Sequence, residues 1–148
     1  MKLSRASTYA FYGLAYLASR PLGVIVPLSE IHEHYGVPEK HLAKIFQTLV
    51  KAGILESARG VNGGFALARP AAKISPLDVI QAIEGPIQEG GCLLLQEPCE
   101  QDHRCRINSV WRRAQRAMLT VLRETTLEDM AEPPPRPLLR PPRSKASG

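Results

Sequence analysis

The tightest constraint on the fold is the turn Arg59-Gly60-Val61-Asn62-Gly63-Gly64, set between the short segments Ile54–Ala58 and Phe65–Ala68. Glycine and asparagine accept the positive φ values that a tight reversal needs, so the pattern predicts two short strands paired as a hairpin. What precedes a hairpin of this kind then decides the architecture.

Upstream, residues 4–19 carry Tyr9, Tyr12, Gly13, Tyr16 and Leu17 at helical spacing, with Ser4 as N-cap. Arg20-Pro21-Leu22-Gly23 ends that helix. Residues 28–34 form a short helix with Ile31 inward, closed by Tyr35-Gly36. Pro38 suits the first turn of a third helix, where its missing N–H costs nothing. Leu42, Ile45, Phe46, Leu49 and Val50 follow at i, i+3, i+4, i+7 and i+8, and Gly53 stops the run. Three helices followed by a hairpin describe a winged helix-turn-helix. The fold class is therefore mainly α with a small β-hairpin wing.

Beyond the wing, Ser75-Pro76-Leu77-Asp78 reads as an N-cap, a proline at the first helical position and a capping-box acid. Leu77, Ile80 and Ile83 point inward, and Gly85-Pro86 stops that helix. From about residue 107 a long C-terminal helix carries Ile107, Val110, Trp111, Ala114, Ala117, Met118, Val121 and Leu122, close to an a/d seam, opposite Arg112, Arg113, Arg116 and Arg123. Such a helix serves a homodimer. Thr126-Leu127-Glu128-Asp129 resembles a further helix start. Residues 133–148 contain six prolines and no acid, a composition for a disordered or extended tail. The expected division is a DNA-binding domain over 1–73, a cysteine loop and dimerisation helix over 74–131, and a Pro-rich tail over 132–148.

The net charge of +5 is unevenly spread. Residues 1–73 hold nine Lys/Arg against four acids, residues 74–132 six against ten, and residues 133–148 four against none. A basic head beside an acidic middle suits a nucleic-acid binder with a separate sensing or oligomerising part. No run of about eighteen apolar residues and no apolar leader are present, so a cytoplasmic protein without membrane partners is expected. The glycines of the turn do not form a phosphate loop, and there is no nucleophile–base or paired-acid signature, so an enzyme is not expected.

On the third helix the apolar face leaves Lys40, Lys44 and Gln47 outward. Lysine reaches guanine acceptors or phosphate, and glutamine pairs with adenine. Arg59, with Gly60 and Asn62 in the wing, suits a narrow minor groove. Ser4 and Arg5 are candidates for phosphate contacts. His32, His34 and His41 read as surface residues around the reading unit.

All three cysteines fall in one polar stretch, Cys92, Cys99 and Cys105, spaced Cys-x6-Cys-x5-Cys. An odd number of thiols in a reducing compartment argues against a disulfide framework and for a metal or redox centre. The spacing alone does not choose the metal, being looser than a zinc knuckle and unlike a ferredoxin.

The opening MKLSRASTYAFYGLAYLA, the wing RGVNGGFALARPA, the helix ISPLDVIQAIEG and the three-cysteine loop together closely resemble the bacterial iron–sulfur winged-helix regulators of the IscR, NsrR and RirA kind, over roughly residues 1–131. The resemblance implies a homodimeric transcription factor on double-stranded promoter DNA, more a repressor than an activator. It also implies an iron–sulfur cluster, 4Fe–4S in preference to 2Fe–2S, held by Cys92, Cys99 and Cys105. Relatives complete the ligand set with a histidine where this chain has Asn108, or with a partner's aspartate where it has Thr8. His103 is the tempting local substitute, beside Glu97, Glu100, Asp102, water or a small thiol, and the fourth ligand stays open. Zinc or a metal-free thiol switch, in a winged-helix protein-interaction module, is the alternative.

Overall fold

The computed structural model describes residues 2–87 and 104–131. Along the chain they form α1 (Arg5–Ala18), α2 (Leu28–Tyr35), α3 (Glu39–Lys51), β1 (Leu55–Ala58), β2 (Gly64–Leu67), a single 3-10 turn (Ala71–Lys73), α4 (Pro76–Glu84) and α5 (Arg106–Glu124). The winged helix-turn-helix read from the sequence is the fold observed. The Pro-rich tail, Cys92, Cys99 and His103 lie outside the described residues.

Local chemistry sets the boundaries. Ser4 Oγ accepts the Ser7 N–H at 3.2 Å and caps α1. The carbonyl of Pro38 accepts the N–H groups of His41 and Leu42, so this proline stands just before α3 rather than inside its first turn. Gly53 follows α3 with φ 72° and turns the chain out of the helix. Ser75 and Asp78 form the reciprocal capping box of α4, at 3.1 and 2.9 Å.

The hairpin is antiparallel, with Leu55 opposite Leu67 and Ser57 opposite Phe65. One partner is not legible in the sequence. Val26, in the α1–α2 connection, exchanges two backbone hydrogen bonds with Phe65 at 2.8 and 2.9 Å. The wing is thereby stitched to the helical head along its second strand. Gly64 permits this approach, because a Cβ there would collide with the Val26 carbonyl.

The core is one cluster under α1–α4 and the hairpin. Leu14, Ile31, Tyr35, Leu42, Phe46, Leu49 and Ile54 are fully buried within it. A buried side chain of this size contributes about 1.5–3 kcal/mol. Gly13 lets α1 and α3 cross closely, for a Cβ there would run into the Phe46 ring. Helix α4 packs on both α1 and α3, so it shares the core of the head although it lies beyond residue 73.

α5 contacts α4 through a narrow face on which Asn108 and Leu119 are buried. Ile107, Val110 and Val121, from the apolar stripe, remain 56%, 62% and 63% exposed. After α5 the chain returns to the head, where Leu127 is buried and its N–H donates to the Ile74 carbonyl at 2.9 Å. The expected helix start at Thr126 is realised only as a cap. Thr126 and Asp129 bond reciprocally, but only a turn follows, in which Met130 and Ala131 donate to the Leu127 and Glu128 carbonyls. None of the described helices is long and apolar enough to cross a membrane.

Candidate DNA-binding interface and cysteine centre

Burial of Leu42, Ile45, Phe46 and Leu49 fixes the rotation of α3 and turns its opposite face to solvent. Lys40, Lys44 and Gln47 are all exposed there, at i, i+4 and i+7, and so lie on one side of the helix. At the wing, Arg59, Gly60 and Asn62 are exposed. Gly60 takes φ 105°, and a Cβ on Gly63 would come within 2.6 Å of the Ala58 carbonyl oxygen. The turn therefore needs glycine at these two positions to close. Val61, at its tip, is fully exposed. Sequence reasoning passed over it, since an isolated valine in a turn carries no periodicity.

The head's electrostatics leave these cations free. Among the described residues the one ion pair is Arg20–Glu30 at 2.7 Å, at the α1–α2 junction. Tyr16 donates to Glu30 at 2.5 Å and accepts from Arg20 at 2.7 Å. Burial pushes the Tyr16 hydroxyl above its ordinary range, with the Glu30 bond adding to the effect. Arg5, Lys40, Lys44 and Arg59 have no carboxylate partner among the described residues.

Ser4 is half-buried, and its groups are already engaged. Its N–H donates to Glu84 Oε1 at 3.0 Å, and its Oγ accepts from Ser7. Ser7 Oγ also donates to Glu84 Oε1, at 2.5 Å. Hydrogen bonds from the Ser4 and Ser7 side chains, with the Ser4 N–H, hold the Glu84 carboxyl below its ordinary value. Neither Ser7 nor Glu84 was singled out by sequence reasoning. The one signal was an acid in the last turn of α4, where the helix dipole disfavours it. Arg5, beside Ser4, is exposed and shares a cleft with Lys44.

Of the proposed ligand set, Cys105, Asn108 and Thr8 are described. Cys105 is the N-cap residue of α5, half-buried, with a free thiol, and its carbonyl accepts the Ser109 N–H at 3.1 Å. Asn108 stands one helical turn on and is buried. Thr8, on α1, donates to the Ser4 carbonyl at 3.2 Å. No three His, Cys, Asp or Glu side chains among the described residues converge as metal ligands.

Residues 3–133 match the family described as Rrf2, iron-dependent transcriptional regulator. The chain belongs to the Rrf2 family. Rrf2 proteins are DNA-binding transcriptional regulators. Several solved members share the fold. CymR (YrzC), the global cysteine regulator of B. subtilis, is 30% identical, with a TM-score of 0.73 over 88% of this chain and 96% of that one. The oxidized form of Staphylococcus aureus CymR is 31% identical, TM-score 0.69, over 89% and 97%. T. potens IscR is 29% identical, TM-score 0.61, over 88% and 85%.

Proposed function

We propose that this Rrf2 protein is a cytoplasmic, homodimeric repressor that reads double-stranded promoter DNA with α3 and the wing, under control of its three cysteines. The observation that carries the reading is the set Lys40, Lys44 and Gln47, exposed on one face of α3, its lysines paired with no carboxylate among the described residues, with Arg59 at the wing. Lys40, Lys44 and Gln47 enter the major groove; Arg59, Gly60 and Asn62 meet the adjacent minor groove; Arg5, held at the helix start that Ser4 caps, meets phosphate. The exposed α5 stripe pairs with that of a second copy, which sets two reading heads on two half-sites. The expected units are the DNA-binding head over 1–73, the cysteine and dimerisation part over 74–131, and the tail over 132–148.

Operator fragments selected from random duplexes test the reading by fluorescence anisotropy. Lys44→Ala and Arg59→Ala each weaken binding by about 1–3 kcal/mol and leave the circular dichroism unchanged. Unaltered affinity in both variants overturns the assignment.

For the cysteines, the family and the donor set favour an iron–sulfur cluster, 4Fe–4S before 2Fe–2S. Three thiolates suit such a cluster, and the half-buried, unbridged thiol of Cys105 at the start of α5 is available as one of them. Cys92, Cys99 and Cys105 would hold it, with His103, Asn108 or the Thr8 position of a partner beside the fourth place. Bound there, a cluster supplies an iron with an exchangeable ligand, reactive toward oxygen or nitric oxide. Anaerobic purification then yields a brown protein with matching iron and sulfide. Stoichiometric zinc in a colourless protein overturns this.

A second reading, a metal-free thiol switch, is favoured by the 31% identity to a CymR crystallised in an oxidized form. It predicts no iron, and DNA affinity that changes on treatment with diamide and returns with dithiothreitol.

A further inference from the structure

A cleft of about 360 Å3 opens between the first turns of α1, the side of α3 and the end of α4. Ala6, Ile45 and Ile83 make its apolar part. Arg5 and Lys44 stand over it, both exposed and neither paired with a carboxylate among the described residues. His41 adds a third basic group, its ring stacked on Tyr9 with centroids 6.1 Å apart and planes 18° from parallel. Among the described residues no acid lines the cleft, and the carboxylate next to Ile83, that of Glu84, is turned onto Ser4 and Ser7.

A DNA phosphate in this cleft would satisfy the cations and leave the apolar part wet. A hydrocarbon would do the reverse. Only an anion carried on an apolar body uses both, and the volume is at the lower end of the range for small-molecule sites. We propose that the cleft binds a small organic anion, a phosphate or carboxylate on a single aromatic or branched aliphatic body, and that its occupant competes with DNA. The competition rests on the DNA-reading role of Lys44 and Arg5; the binding does not. An occupant neutralises two of the cations proposed to contact the operator, Lys44 in the groove and Arg5 at a phosphate, so it acts as an inducer independently of the cysteines.

The test titrates phenyl phosphate into the 15N-labelled full chain. Inorganic phosphate and benzyl alcohol serve as the two half-ligands. Phenyl phosphate is expected to shift the amides of Tyr9, Thr48 and Ile83, and to bind at least about tenfold more tightly than either half-ligand. It should also release bound operator DNA. Thr48→Trp, which fills the cleft from an exposed position on α3, abolishes the shifts; Ala6→Leu serves the same purpose if the tryptophan variant does not fold.

Equal affinity for phenyl phosphate and inorganic phosphate overturns the proposal, as do shifts confined to α5. Binding in the cleft without release of DNA overturns it too. Operator binding measured without phenyl phosphate tests the DNA-reading role separately. Its absence would remove the competition, while the amide shifts would still decide the site.

Discussion

Glu84 and Ser7, 77 residues apart in sequence, meet side chain to side chain at 2.5 Å. The carboxylate sits at the unfavourable end of α4, but through Ser7 and the Ser4 N–H it is placed at the favourable end of α1. It joins the start of the first helix to the last helix before the cysteine segment.

Replacing Glu84 by Ala is expected to cost about 1 kcal/mol. Hydrogen bonds to a charged group are worth more than this in a dry site, but solvent reaches this one. Because the folded-state value is lowered, the stabilisation is present above the ordinary glutamate range. It is lost as the pH falls through the folded value. Melting curves of wild type and Glu84→Gln from neutral to acid pH should therefore converge at the acid end. Parallel curves would remove the role given to the carboxylate.

Gly13→Ala tests the seating of α3. The added methyl meets the Phe46 ring, and overpacking of this kind costs about 1–3 kcal/mol. Phe46→Leu in the same chain should recover part of the loss, a non-additivity read directly from urea titrations. Strict additivity would mean that the two residues do not press on each other.

Gly63→Ala attacks the wing through its backbone. The Ala58 and Gly60 carbonyls, 2.6 and 2.9 Å from the new Cβ, are main-chain atoms and cannot swing aside. Loss of the wing's amide-exchange protection and weaker operator binding are expected together. Val61→Ala, at the exposed tip, should change stability by less than about 0.5 kcal/mol. DNA affinity measured on that variant reports whether the tip touches the groove.

Val110→Glu and Val121→Glu place charge on the exposed stripe of α5. Sedimentation should show a monomer whose melting temperature, at low concentration, matches that of dissociated wild type. A dimer that survives both substitutions would place the seam elsewhere.

Leu127→Ala probes the return of the chain to the head. The side chain is buried and its N–H is bonded to Ile74, so a loss of about 2–4 kcal/mol is expected by chemical denaturation. A loss below about 1 kcal/mol would mean that residues 125–131 fray without cost.

The reading head was legible because its signals are local: caps, prolines, glycines at turns and apolar residues at helical spacing. Lys40, Lys44 and Gln47 followed from the same periodicity, since burying Leu42, Ile45 and Phe46 leaves them only one way to face. What escaped was pairing at a distance. A single residue such as Val26 bridging to Phe65 leaves no period to detect, and neither does a carboxylate such as Glu84 that reaches back to the first helix. Thr126 misled for a local reason. Its cap with Asp129 forms, but the run of prolines from Pro133 leaves no length for a helix, and the chain closes only single turns after the cap. At the cysteine centre the structure places Cys105 at the N-cap of α5, and the other two thiols fall outside the described residues.

The contact between Gly13 and the Phe46 ring bears on how an operator is chosen. Because Gly13 has no side chain, the Phe46 ring seats directly against α1 and fixes how α3 lies on it, which in the proposed complex leaves α3 little room to follow an imperfect groove. The work of fitting then falls on the duplex. Sequences that bend or narrow easily are favoured even at base pairs that no side chain reaches. Operators for this regulator should therefore share a pattern of pliable steps as well as a pattern of letters.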